Sequence, residues 1–171
     1  MIGRGRDRQT SQVTWYVDTD PATWVWQTTD FAERDTTADG YNWDSGTTKR
    51  WGENTLESGT TTYNVGTGTT QALATDFDNI TGESQGAVGD SGGGVFYLNG
   101  STWELAGIMG ATGTFNGQPG ETAVFGNLTY LIDLSYYRSS VIAVIPEPAH
   151  LALAWAGLTG LLVFRFRTRG Q

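Results

Sequence analysis

The sequence predicts an all-β chain, on three observations. Glycine is abundant, with 24 in 171 residues. Threonine recurs throughout. Short apolar or aromatic runs are separated by clusters of Gly, Asn, Asp and Thr, which is the pattern of strands punctuated by turns. The length suits one domain of ordinary size with a real core. Seven tryptophans run from Trp15 to Trp155, and Lys49 is the one lysine. Cysteine is absent, which excludes disulfides, thiolate catalysis and cysteine zinc sites. The single histidine, His150, argues against a histidine-based metal site. No cofactor and no metal are expected.

The formal charge of −8 is unevenly spread. Arg4, Arg6 and Arg8 sit at one end and Arg165, Arg167 and Arg169 at the other. Between Gln9 and Ile145 only Arg34, Lys49, Arg50 and Arg138 face sixteen carboxylates. Neutralising phosphates needs clustered cations, so nucleic acid is not expected as a partner. So acidic a middle fits a soluble extracellular domain, and equally an ordinary solvated acidic surface.

Along the chain, Trp15, Trp24 and Trp26 read as strand residues facing one side, with core packing favoured over a sugar-stacking platform. Asp76-Phe77-Asp78-Asn79, with Glu83 nearby, could gather calcium. It lacks the spacing of an EF-hand loop, so a solvated acidic loop is favoured. Gly94 to Leu98 reads as a strand, Asn99-Gly100 as a hairpin turn, and Ser101 to Met109 as the returning strand. Tyr130, Leu131, Leu134 and Tyr137 give approximate helical spacing.

The carboxyl end changes character. Ile145-Pro146-Glu147-Pro148 is a rigid, extended break, taken as part of a linker over residues 142–148. An apolar run from Leu151 to Phe164 follows and then a basic terminus, the whole tail occupying residues 149–171. A helix of that run is roughly 21 Å long, against a hydrocarbon core of about 30 Å. Extending the count from Ala149 to Phe166 brings it near a membrane span, with the arginines on the cytoplasmic side. Pro-Glu-Pro, hydrophobic helix and basic end, in that order, resemble the PEP-CTERM sorting signal of Gram-negative bacteria. That resemblance implies an exosortase-type sorting enzyme as a partner and membrane contact through residues 149–167. It also implies a bacterial protein, membrane-anchored before processing and then at the cell surface or secreted. A plain membrane anchor is the alternative. At the other end, Met1 to Arg6 has charges but no apolar run of a signal peptide.

The strongest chemical signal is Gly89-Asp90-Ser91-Gly92-Gly93. A serine hydroxyl attacks a carbonyl when a base takes its proton and backbone donors receive the developing oxyanion. The pentapeptide, the hairpin after it, Thr122 to Leu128 as the last strand and Thr129 to Tyr137 as the terminal helix resemble the trypsin-like serine proteases, in a cysteine-free bacterial form. The resemblance covers about Gly3 to Val141, within a domain taken as residues 1–141. It implies the second antiparallel β-barrel of a chymotrypsin-like fold, with the first barrel absent, a short C-terminal helix and the hydrophobic tail helix. It assigns Ser91 as nucleophile and the N–H groups of Gly89 and Ser91 as the oxyanion hole. Asp90 then orients the loop, with Gly92 and Gly93 completing the motif. Gln85, six positions before Ser91, falls where relatives with basic preference carry an aspartate, so a Lys or Arg substrate is not favoured. Gly107 to Gly113 resembles the pocket-lining strand, giving Gly110, Ala111 and Thr112 as pocket residues.

A working triad also needs a histidine and a carboxylate. His150 stands beside the tail rather than in the barrel. Gly3-Arg4-Gly5 resembles the strand opening the second barrel, so the expected triad partners fall upstream of it. Lys49 to Asn54 resembles an insertion in the second barrel of bacterial surface relatives. The implied function is a serine endopeptidase of the bacterial cell surface acting on a protein or peptide substrate, inactive as this chain alone. The alternative is a non-catalytic surface β-domain that binds matrix or polysaccharide.

Overall fold

The computed structural model describes residues 1–64, 68–145 and 155–156. The chain divides into a unit from Met1 to Ser135 and a second from Tyr136 to Gln171. The first unit holds eleven strands: β1 (Ile2–Gly3), β2 (Arg6–Asp18), β3 (Val25–Gln27), β4 (Thr36–Thr47), β5 (Arg50–Trp51), β6 (Ser58–Asn64), β7 (Thr69–Asp76), β8 (Gly94–Asn99), β9 (Thr102–Gly113), β10 (Thr122–Val124) and β11 (Leu128–Asp133). One helix, α1 (Leu134–Val144), follows.

The strands pair antiparallel into a four-stranded sheet, β10-β4-β2-β3, a five-stranded sheet, β6-β7-β11-β9-β8, and a ribbon of β1 with β5. The mostly-β expectation with one short helix after it therefore holds. In the described pairings no edge strand of either larger sheet closes onto another edge.

β2 and β4 form the spine of the four-stranded sheet, with β10 laid against β4. Gly40 of β4 lets the Ala123–Val124 backbone approach so closely that a Cβ there would overlap the Ala123 carbonyl oxygen. Trp15, Val17 and Val124 are the buried centre, and Val13, Trp24, Trp26, Ala38 and Phe115 pack around it. Trp24, Trp26 and Phe115 lie within 6.4 Å of one another, ring centre to ring centre. Core packing thus accounts for Trp15, Trp24 and Trp26.

The chain crosses from one large sheet to the other between β10 and β11, and buried Asn127 ties that crossing. Its Oδ1 accepts from Val124 N at 3.0 Å and Gln118 Nε2 at 2.9 Å, and its Nδ2 donates to Gln118 Oε1 at 2.7 Å. The expected last strand, Thr122 to Leu128, is in fact two strands joined by this crossing.

The helix expected over Thr129 to Tyr137 begins later, at Leu134. Residues 128–133 alternate half-buried and buried, with Thr129, Leu131 and Asp133 inward, which is the period of a strand. Pairing to β7 on one side and β9 on the other settles the segment as strand. Asp133 then starts the helix by accepting from Ser135 N at 2.8 Å and Ser135 Oγ at 2.6 Å, a side-chain cap of the first turn. Within the stretch expected to be an insertion, Arg50 and Trp51 pair with Ile2 and Gly3.

Among the described residues no helix is long and apolar enough to cross a membrane. His150, the Pro-Glu-Pro residues and all of the tail except Trp155 and Ala156 lie outside the described residues.

Candidate functional site

Ser91 sits in a turn immediately before β8. Gly89 and Gly92 on either side have φ of 98° and 86°, a region where a side chain is strained and glycine is not. Hydrogen bonds lock the turn. Asp90 N donates to Ala87 O at 3.0 Å, Gly93 N to Asp90 O at 2.9 Å, and Gly92 N to Met109 O at 2.9 Å. Met109 N returns a bond to Gly93 O at 2.9 Å, so the turn is stitched to β9.

The Asp90 side chain anchors the turn from beneath. Its Oδ1 accepts from Gly5 N at 2.5 Å and its Oδ2 from Ala87 N at 2.9 Å. Arg6 N donates to Val88 O at 2.9 Å alongside. A Cβ at Gly3 or Gly5 would strike the Asp90 carboxylate, so the two alternate glycines make the space it occupies. The sequence presents Gly3-Arg4-Gly5 and the Ser91 pentapeptide as separate motifs, and the fold makes them one. Two glycines at strand spacing were the available signal, since both open the same face.

With the turn fixed this way, Ser91 is exposed, and among the described residues its Oγ has no hydrogen-bond partner. The N–H groups of Gly89 and Ser91 likewise donate to no acceptor among the described residues. Every other N–H from Asp90 to Gly93 is taken. The turn therefore presents a free hydroxyl and two free backbone donors within three consecutive residues. The described residues contain no imidazole.

Beside Ser91 lies a cavity of about 120 Å³. Met109, Gly110, Ala111, Thr112 and Thr129 line one side and residues 86–88 the other. The expected pocket residues Gly110, Ala111 and Thr112 are thus brought to Ser91. Gln85 is not. Gly86 N donates to the buried Thr129 Oγ1 at 3.0 Å, holding the segment after Gln85 against β11. Gln85 faces a separate hollow of about 480 Å³, where its Nε2 reaches Asn127 Oδ1 at 3.4 Å. Its Oε1 is buried without a partner among the described residues. Met109 and Thr129 are cavity residues that sequence reasoning missed. Only the register of β9 on β11 puts them there.

The same large hollow is walled by Arg8, whose guanidinium lies 4.0 Å from the Tyr41 ring centre, and by the Arg50–Asp7 ion pair at 3.1 Å. At its rim the carboxylates of Asp76, Asp78 and Glu83 come within 4.8 Å of one another. Glu83 Oε2 accepts from Asp78 N at 2.7 Å. Glu57, absent from the sequence reading, joins them: repulsion from Asp76 first, then burial and the charges of Asp78 and Glu83, holds its carboxyl above the ordinary value.

No protein-family model matches the chain, and no curated protein or solved structure matches it.

Proposed function

We propose that the chain carries the nucleophile half of a serine endopeptidase site, with Ser91 attacking a peptide carbonyl. The observation that carries this reading is the pair of unclaimed N–H groups at Gly89 and Ser91, flanking an exposed hydroxyl with no partner. Two donors left open at Gly89 and Ser91, one residue apart, suit an oxyanion. Removing one such donor from a working site costs about 10²–10³ in rate. Asp90, with both oxygens engaged by backbone N–H groups, is a positioning residue and not the base.

In the reaction, Ser91 Oγ gives its proton to a base and adds to the substrate carbonyl. The resulting oxyanion takes the two N–H bonds, and its collapse expels the amine, protonated by the same base. His150 is the one histidine of the chain, and it lies outside the described residues. The reading therefore assigns the base to an imidazole that residues 1–145 do not contain and predicts no turnover by those residues alone. On the same reading the two large sheets are the walls of the second barrel of a trypsin-like domain. Residues 149–171 act as a PEP-CTERM sorting tail handled by an exosortase at the bacterial membrane, on the sequence pattern given above.

The test is labelling with a fluorophosphonate, read by intact mass and peptide mapping. Without added base, no adduct forms. With imidazole supplied in solution, one adduct forms, on Ser91, and Ser91→Ala abolishes it. Labelling of several serines at similar rates would remove Ser91's special role.

A further inference from the structure

We infer that the cavity beside Ser91 selects a small, uncharged, hydroxyl-bearing side chain, serine or threonine, with Thr112 as the residue that reads the hydroxyl. The inference rests on the reading of Ser91 as the acyl-accepting group and concerns which acyl group it takes.

Size comes first. The cavity measures about 120 Å³, whereas an apolar cavity of roughly 150 Å³ is what holds a benzene ring. An aromatic side chain, or the length of lysine or arginine, exceeds that volume. The Cβ, Oγ1 and Cγ2 of a threonine do.

Charge is next. Asp90 is the one ionisable group on the cavity, and both of its oxygens already accept backbone N–H bonds from Gly5 and Ala87. Both oxygens are thereby turned to backbone donors of the Gly5 and Ala87 segments, so much of the carboxylate's acceptor capacity is spent within the fold. Gln85, the residue at which a basic preference would be set, faces the other hollow.

The polar lining then fixes the class. β9 pairs with β11 through a bulge at Gly110, since Tyr130 opposes Ala111 while Leu131 opposes Met109. The extra residue brings Met109 and Thr112 onto the face shared by Thr129 and Leu131. Thr112 lies directly across from Thr129, so their side chains stand together at the cavity. Thr129 Oγ1 is already engaged, accepting from Gly86 N at 3.0 Å. Thr112 Oγ1 has no hydrogen-bond partner among the described residues. A half-buried hydroxyl without a partner, at the wall of a small cavity, favours a substrate group that can both donate to it and accept from it. A site that hydrogen-bonds a substrate hydroxyl discriminates against the analogue that lacks it.

The experiment separates binding from acylation. Ac-Thr-NHMe, Ac-Val-NHMe, Ac-Phe-NHMe and Ac-Arg-NHMe are titrated against the ¹⁵N-labelled chain, reading the amides of Met109, Ala111, Thr112 and Thr129. The threonine compound is expected to bind about 3- to 10-fold more tightly than its valine isostere, with no saturable shift from the phenylalanine or arginine compounds. Thr112→Val removes the threonine preference. Thr112→Ser, which keeps the hydroxyl, restores the preference and controls for loss of fold. Equal binding of the threonine and valine compounds, or saturable binding of the phenylalanine or arginine compound at these amides, overturns the inference. Fluorophosphonate labelling of Ser91 in imidazole is run in parallel. Labelling with the wrong side-chain order sinks only the selectivity, and the right order without labelling sinks only the nucleophile role.

Discussion

Replacing Asp90 by alanine is expected to unlock the Ser91 turn, and the size of the loss follows from its contacts. The wild-type carboxylate receives two backbone N–H bonds, from Gly5 and Ala87, in a part-buried position. A hydrogen bond to a charged group contributes about 1.5–3 kcal/mol. Two would give roughly 3–6, but water reaches part of this site and satisfies some of what is lost. An expected cost of about 2–4 kcal/mol remains, equivalent to a fall of several degrees in Tm for a chain of this size. Asp90→Asn keeps one good acceptor and is expected to lose about half as much. Ser91→Ala, which removes an exposed hydroxyl with no partner, is expected to stay within about 0.5 kcal/mol of wild type. Urea unfolding followed by tryptophan fluorescence measures all three. If Asp90→Ala matched Ser91→Ala in stability, the carboxylate would not be holding the turn to the Gly3–Gly5 segment, and the reasoning would fail.

Gly89→Ala places a side chain at φ 98°, with a strain of about 1–3 kcal/mol. It is expected to lower stability by that amount, read in the same urea titration. Leu131, 1% exposed at the centre of the five-stranded sheet, is expected to cost about 2–5 kcal/mol on truncation to alanine, measured by the same urea titration. Glu57 titrates above its ordinary 4.5 in the folded chain because Asp76, and then burial and the other carboxylates, oppose its charge. The folded state therefore binds this proton more tightly than the unfolded state. Its contribution to stability is fully present below the unfolded value and is lost as pH rises through the folded one. Glu57→Gln should raise Tm near neutrality and leave it unchanged well below pH 4.5, and a gain of equal size at both would contradict the origin given for it.

What the sequence made legible was local. Asn99-Gly100 marked the β8–β9 hairpin because its turn chemistry is set by adjacent residues, and Gly100 does adopt a positive φ of 62°. The onset of α1 was misplaced because Leu131, Leu134 and Tyr137 fit a helical spacing while Thr129, Leu131 and Asp133 fit a strand. Periodicity cannot arbitrate in so short a segment, and two flanking strands did. The join between Asp90 and Gly5 spans 85 residues, so no window along the chain contains it. Gln85 lies off the Ser91 cavity for a similar reason. Its side chain reaches Asn127, 42 residues away, while the neighbouring Gly86 bonds Thr129, 43 residues away. The turn around Ser91 was visible as a motif, whereas its anchor and the floor of its cavity exist only in the fold.

The most direct test of the account is a crystal structure of the chain after fluorophosphonate treatment in imidazole. The account predicts a single phosphonyl group on Ser91 Oγ, with its oxygen within about 3.1 Å of both the Gly89 and Ser91 nitrogens. An adduct on Ser91 whose oxygens point away from both amides would contradict it.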